Sequence, residues 1–344
     1  MSNSKFPLLN LPSEVIDRAL KSMDRLELIA YSFASKNATK QVKSLNVLIQ
    51  CFVTEFAGSL ILTLHTVSAR AIQFRFDLDQ DGNLNRTSEN VEVSLLGVAE
   101  ETFKWTNQGK TLIEWFHHLN QLFKHSARMS IVRFHTNQPV ANLGDIRSLL
   151  PKRICLYIST YNPEADDNEK KYAQRVYEEF LPNATYLYIN LNPFNNTIYL
   201  KDFRFRNWDF LDITQLNHFR LEDLLELNAK QSIFRLSFNF SSVNLNRFMK
   251  LWRKGSNPRL AVLWMKYPSR TAPDVNVVLK GIPYHRTTVD ELKKMHGYYS
   301  ESWIDSFDDC FKIHRNDGTL AVIFLKLFAR VGGLDEAQLI MLVA

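Results

Sequence analysis

Three histidines stand close together at His117, His118 and His125, and imidazole is the side chain best suited to hold a metal or move a proton near neutral pH. His118 and His125 are seven apart, on one face of a helix if it persists that far. No Cys or carboxylate accompanies them at ligand spacing, so a metal centre does not follow. Asp77, Asp79, Asp81 and Asn83 imitate the opening of a calcium loop, with Gly82 where that loop needs it. The twelfth position must supply a bidentate carboxylate and is Ser88, so a turn at Asp81-Gly82-Asn83 explains the run better. Cys51, Cys155 and Cys310 are odd in number, far apart and outside any CxxC pair, which argues for reduced, mostly buried thiols. Phosphate-binding glycine loops, a GxSxG elbow and an HExxH helix are absent from the sequence. These residues predict no catalytic centre, no metal and no cofactor; an enzyme would need a dispersed site.

Charge and composition narrow the partners. Lys and Arg total 42 against 36 Asp and Glu, a net +6, and the basic residues are scattered rather than gathered into a stripe, which argues against nucleic acid. The 24 Phe fall at core positions of strands and helices more often than beside Arg and Lys, so base stacking is not indicated either. The most apolar stretch, Val47 to Val67, is interrupted by Gln50, Glu55, Gly58 and His65 and reads as buried core, not a membrane span. The opening MSNSKFPLLNLPSEV is no secretory signal, and a cytoplasmic or nuclear setting is expected. Glu164 to Lys171 (EADDNEKK) reads as a solvated loop.

A chain of 344 residues with 45% hydrophobic and 23% charged side chains is an ordinary globular protein of about two or three domains. The first fifty residues predict three helices. Pro12 opens the first, with Val15, Ile16, Ala19, Leu20 and Met23 on one face; Asp24 and Glu27 form a capping box for the second, which carries Leu28 and Ile29; the third starts near Ser35. A unit this small cannot bury all those side chains by itself. Its apolar face either awaits a partner or docks on the rest of the chain.

From Cys51 to about Lys152 the pattern becomes strands, among them Leu60 to Val67, Ile72 to Leu78 and Val91 to Leu96, followed by a helix over 111–123. Farther along, strand-like runs align on Leu187, Leu211, Leu236 and Leu263 at spacings of 24, 25 and 27. Such spacings lie within the roughly 20 to 29 residues of leucine-rich-repeat units. Helical stripes at Leu221, Leu224 and Leu225, and at Leu245, Phe248, Met249 and Trp252, fall between them, so a parallel sheet with crossover helices is expected. The second stripe stops at Gly255 and Pro258. Phe311 to His314 and Leu320 to Phe324 predict a hairpin with a type I′ turn at Asn316-Asp317-Gly318.

Two stretches resemble a known family. Phe6-Pro-Leu-Leu-Asn-Leu-Pro-Ser-Glu-Val-Ile16, with Leu20, Met23, Glu27-Leu28 and Ser32 to Lys36, resembles an F-box. Asn244-Leu-Asn-Arg-Phe-Met-Lys-Leu-Trp-Arg-Lys-Gly-Ser-Asn-Pro-Arg-Leu260 is similar to the hallmark of the type 2 F-box-associated domain of nematode F-box proteins, and Ile313 to Phe324 resembles its C-terminal segment. The expected fold is α+β or α/β: a three-helix F-box over 5–50, then an F-box-associated domain over 51–344. That second part has leucine-rich-repeat-like strand-helix units at about 183–266 and a hairpin at about 309–325. The resemblance implies a Skp-type adaptor as partner, through it a cullin-RING ubiquitin ligase, and a protein substrate held by the second part. The adaptor contacts it points to are Leu11, Pro12, Val15, Ile16, Leu20, Met23, Leu28 and Ile29. An F-box protein acting as a binding module outside any ligase is the alternative. The hallmark helix reads as structural, with Lys250, Arg253, Lys254 and Arg259 as its exposed basic members.

Overall fold

A computed structural model of the chain describes residues 12–66, 71–78, 83–85, 87, 90–97, 101–107, 109–125, 130–140, 142–160, 165–190, 206–216, 219–288, 310–328 and 335–344. Leu11 and the turn residues Asp81 and Gly82 lie outside them. The chain divides into two compact units, Met1–Cys155 with Glu178–Asn183, and Leu156–Tyr177 with Ala184–Ala344.

The first unit opens with α1 (Ser13–Ser22), α2 (Arg25–Ser32) and α3 (Lys36–Ser44). A mixed sheet follows, made of β1 (Leu48–Phe56), β2 (Ser59–Thr66), β3 (Ala71–Asp77), β4 (Asn90–Leu96), β5 (Glu101–Thr106), β6 (Lys124–His125) and β7 (Ser130–His135). The ladder runs β7-β1-β2-β3-β4-β5, with β6 also on β1. Only the pairings of β1 with β6 and β7 are parallel. The apolar stretch at Val47 to Val67 is thus the β1–β2 hairpin, which turns at Gly58 in the left-handed region (φ +64°) that a side chain would strain. β3 shows the two-residue period, with Ile72, Phe74 and Phe76 buried between Gln73, Arg75 and Asp77. The helix α4 (Leu112–Leu122) lays Trp115 and Phe116 on this sheet, with ring centroids 5.7 Å from Phe74 and 5.7 Å from Phe52 respectively. Helix α5 (Leu143–Leu149) comes after β7.

The second unit contains most of β8 (Ile154–Ser159) and α6 (Asp167–Phe180), then β9 (Ala184–Ile189), β10 (Asn207–Leu216), α7 (Leu221–Glu226) and β11 (Asn228–Leu236). It continues with α8 (Ser242–Arg253), β12 (Val262–Pro268), α9 (Val275–Val278), β13 (Tyr284–Thr287), β14 (Cys310–His314), β15 (Leu320–Phe328) and β16 (Glu336–Val343). The strand order is β13-β14-β15-β16-β12-β11-β10-β9-β8. The steps from β9 to β12 are parallel, and those from β12 to β13 are antiparallel.

Three expectations need correction. Residues 167–171 of the acidic run are the first turns of α6: the Asp166 carboxylate accepts the N–H groups of Asn168 and Glu169 at 2.8 Å, and acidic residues suit the positive end of a helix. The leucine alignment is not one repeating ladder. Leu187 does pair with Leu211, but Leu236 pairs with Leu216 and Leu263 with Ser232, because β11 begins directly after α7 at Asn228, well before Leu236. The chain forms N-terminal helices and mixed sheet, mostly strands, in place of a run of leucine-rich units. The turn at 315–319 is not type I′, since Asn316 and Asp317 keep negative φ and only Gly318 is positive (φ +91°). The Gly318 N–H donates to Arg315 and the Arg315 N–H to Thr319, which is a three-residue loop closed by a glycine bulge.

The segment after Leu325, for which the sequence carried no expectation, adds one more strand to the second unit. Residues 336–343 form β16, inserted between β12 and β15, with Ala337 to Leu342 buried and Cys310, Val322, Phe324, Ile340 and Leu342 packed together.

Candidate functional site

Each N-terminal helix has its own start. Pro12 precedes α1 and its carbonyl accepts the N–H groups of Val15 and Ile16. Asp24 and Glu27 form the reciprocal capping box of α2, both bonds 2.8 Å, and the Ser35 hydroxyl accepts the Ala38 N–H at the head of α3. The sequence residues that point to an adaptor then separate by burial. Ile16, Leu20, Leu28 and Ile29 are core, at 4%, 0%, 3% and 0% exposure, as are Ala38 and Val42 of α3. Pro12 is exposed, Val15 is 46% exposed and Met23 is half-buried. With half-buried Ala19 these make a shallow apolar stripe at the spacing of one helix face.

The inner face of the helices rests on the chain itself. Phe33, just past α2, sits against Trp115 (centroids 4.4 Å) and stacks on His118 (4.1 Å, 21° between planes). Ser32 Oγ lies 2.7 Å from His118 Nε2 and donates its one proton to the Ile29 carbonyl at 2.6 Å. A Ser–His pair at this distance resembles half of a hydrolytic triad, but Ser32 is 1% exposed and its proton is committed to the backbone. The pair fastens α2 to α4. Among the described residues no three His, Cys, Asp or Glu are placed to hold a metal, and the three cysteines form no disulfide.

Burial, and then the nearby Lys110 and Lys43, lower the His118 pKa from 6.5 to about 4. A folded-state value below the unfolded one means that the unfolded chain binds the extra proton first as pH falls. The stability contribution is complete above pH about 6.5 and is lost as pH falls to about 4. Allowing for the solvent still reaching the ring, we expect about 2 kcal/mol of loss in that window. Urea unfolding of the wild type and His118→Phe at pH 7 and pH 4.5 checks it: equal losses in the two proteins contradict the assignment.

Beside this contact is a cavity of about 290 Å³, lined by Ala30 and Phe33 from the helices, Lys104, Trp105 and Thr106 from β5, and Lys110 and Trp115. Lys110 Nζ stands 5.7 Å from the Phe33 ring centroid. Nothing in the sequence reading pointed to it, because its residues come from three separate stretches.

In the second unit the run from Asn244 to Leu260 is framework. Leu245, Phe248, Met249 and Trp252 are wholly buried, and Gly255 (φ +112°) closes α8 with the paired bonds Gly255 N–H to Trp252 and Ser256 N–H to Leu251. The Asn246 amide reaches the carbonyls of Val278 and Lys280, and the Asn257 amide those of Leu224 and Leu227, tying α8 to its neighbours. Arg315, in the turn after β14, donates to the carbonyls of Trp252, Ser256 and Asn257 and lies over the Trp252 ring at 4.6 Å. Two of the basic side chains are also occupied, Arg253 with the His314 carbonyl and Arg259 with Asn228 and Asp209.

Residues 8–50, which include all three N-terminal helices, match the family model of the F-box domain. Residues 199–265, which include α7, α8 and the Asn244 to Leu260 run, match that described as F-box associated. The chain carries an F-box and an F-box-associated domain. Over 328 residues, 93% of this chain and 94% of the relative, it is 25% identical to F-box associated domain-containing protein sdz-33 of Caenorhabditis elegans. No solved structure matches. Among the described residues no helix is long and apolar enough to cross a membrane.

Proposed function

We propose that this F-box protein is the substrate-recognition subunit of a Skp, cullin, F-box type ubiquitin ligase. The helices over 5–50 bind a Skp-type adaptor, and the domain over 51–344 holds a target protein. The observation that carries the reading is the F-box match over residues 8–50 on three helices that keep an apolar stripe of Pro12, Val15, Ala19 and Met23 at their surface. The receptor contributes no catalysis of its own; by holding a target it makes ubiquitin transfer effectively intramolecular. Cytoplasm or nucleus is where such a complex works.

Burial divides the seven described adaptor-facing candidates by role, Leu11 lying outside the described residues. Pro12, Val15 and Met23, with Leu11 before them, make the contact, while Ile16, Leu20, Leu28 and Ile29 hold the helices that present it. Co-expression with a Skp-type adaptor followed by size-exclusion chromatography tests this. The wild type should elute with stoichiometric adaptor, and Val15→Asp with Met23→Asp should lose binding by about tenfold or more with unchanged circular dichroism. Leu20→Asp serves as the misfolding control, since Leu20 has no exposed surface. A folded wild-type chain that leaves the adaptor behind overturns the reading. Adaptor bound without cullin would support the F-box as a binding module outside a ligase.

A further inference from the structure

Successive side chains of a strand point to opposite faces, yet Lys104, Trp105 and Thr106 all line one cavity, which fits a wall made by the edge of β5. β5 ends its ladder and pairs with β4 alone among the described residues. An unpaired strand edge is a template for one more strand. A lysine on such an edge is often there to blunt it. Here, however, a second cation, Lys110, comes from outside the strand with its Nζ 5.7 Å from the Phe33 ring centroid, and the cavity that both lysines line is also lined by Phe33, Trp105 and Trp115. Neither lysine has an ion-pair partner among the described residues. Glu92 stands opposite Lys104 on β4 without forming one, and Glu114 is bonded to Thr111, with the Lys110 charge near enough to help lower its pKa.

We propose that the edge of β5 binds an extended segment of another protein as an added strand, placing an acidic side chain between Lys104 and Lys110 and a large apolar side chain on Phe33, Trp105 and Trp115. A cavity of about 290 Å³ holds one large side chain rather than a peptide, so the rest of the segment must run along the edge. The proposal rests on the receptor reading only in naming that protein the substrate; the site itself does not require the adaptor.

An array of random immobilised decapeptides probed with the full chain tests it. Bound peptides should be enriched in Asp or Glu next to Trp, Phe or Leu, and Lys104→Glu with Lys110→Glu should weaken the best of them by about tenfold or more. Both lysines reach solvent, so these variants should remain folded, which circular dichroism checks. Methylating alternate backbone nitrogens of the best peptide should abolish binding in one phase and spare it in the other, as strand addition requires. No enrichment, enrichment indifferent to the lysines, or binding indifferent to methylation phase overturns the proposal. Adaptor co-elution is measured on the same preparations: adaptor without peptide removes this site alone, and peptide without adaptor keeps the site and removes the receptor reading.

Discussion

Replacing Arg315 by leucine should destabilise the second unit by about 3 kcal/mol. The guanidinium is 8% exposed and satisfies three backbone carbonyls at the end of α8, where the helix dipole also favours a positive charge. Leucine fills part of the volume and satisfies none of them, and each buried group left without a partner costs about 1 to 3 kcal/mol. The stack on Trp252 is lost with it. Arg315→Lys should recover little, because a single ammonium cannot reach three carbonyls with the geometry of the planar fork. Urea titration with hydrogen exchange read by segment checks this: α8 and β14 should lose protection first. A change below about 1 kcal/mol would mean that water serves those carbonyls as well as the arginine does.

Trp115→Ala should cost the first unit about 4 kcal/mol. Its ring lies within 4.4 to 5.7 Å of Phe33, Phe74 and Phe76, and its Nε1–H donates to Asn107 Oδ1 at 3.2 Å. Alanine leaves a hole where the F-box helices meet the sheet, so the expected result is more than a lower midpoint. Amides of α2 and α3 should exchange faster than in wild type while those of α8 and β12 are unchanged. If the helices keep their protection, Ser32 and His118 alone suffice to hold them, and Trp115 acts only within the sheet.

The helices were readable because their signals are local. The capping pair Asp24 with Glu27, the helix over 111–123 and the stripe ending at Trp252 are decided within a few residues, and each stands where it was expected. Burial in the F-box was not readable in that way. Ile16, Leu20, Leu28 and Ile29 form an apolar face whichever partner covers it, and periodicity does not say that Phe33, just past α2, packs on Trp115 and His118 of the same chain. Register failed at Leu236 for a related reason: matching leucines fixes a spacing, whereas the strand begins wherever the preceding helix releases it. Arg315 gave no sign in the sequence, since its three partners lie about sixty residues earlier. The Lys104 and Lys110 cavity is assembled from α2, β5 and α4, and no single stretch carries it.

The place of β16 has a kinetic consequence. Its two neighbours, β12 and β15, are both synthesised before it, and its register joins Leu342 to Val262. Until residues 336–343 have left the ribosome, the edges of β12 and β15 that they will cover remain unpaired and apolar. Strand pairing at such sequence separation is slow, because the entropy of closing the loop is lost before the contacts compensate. The nascent second unit therefore passes through an interval in which it is a ready client for chaperones, and that interval ends when one segment of eight residues slides into the gap.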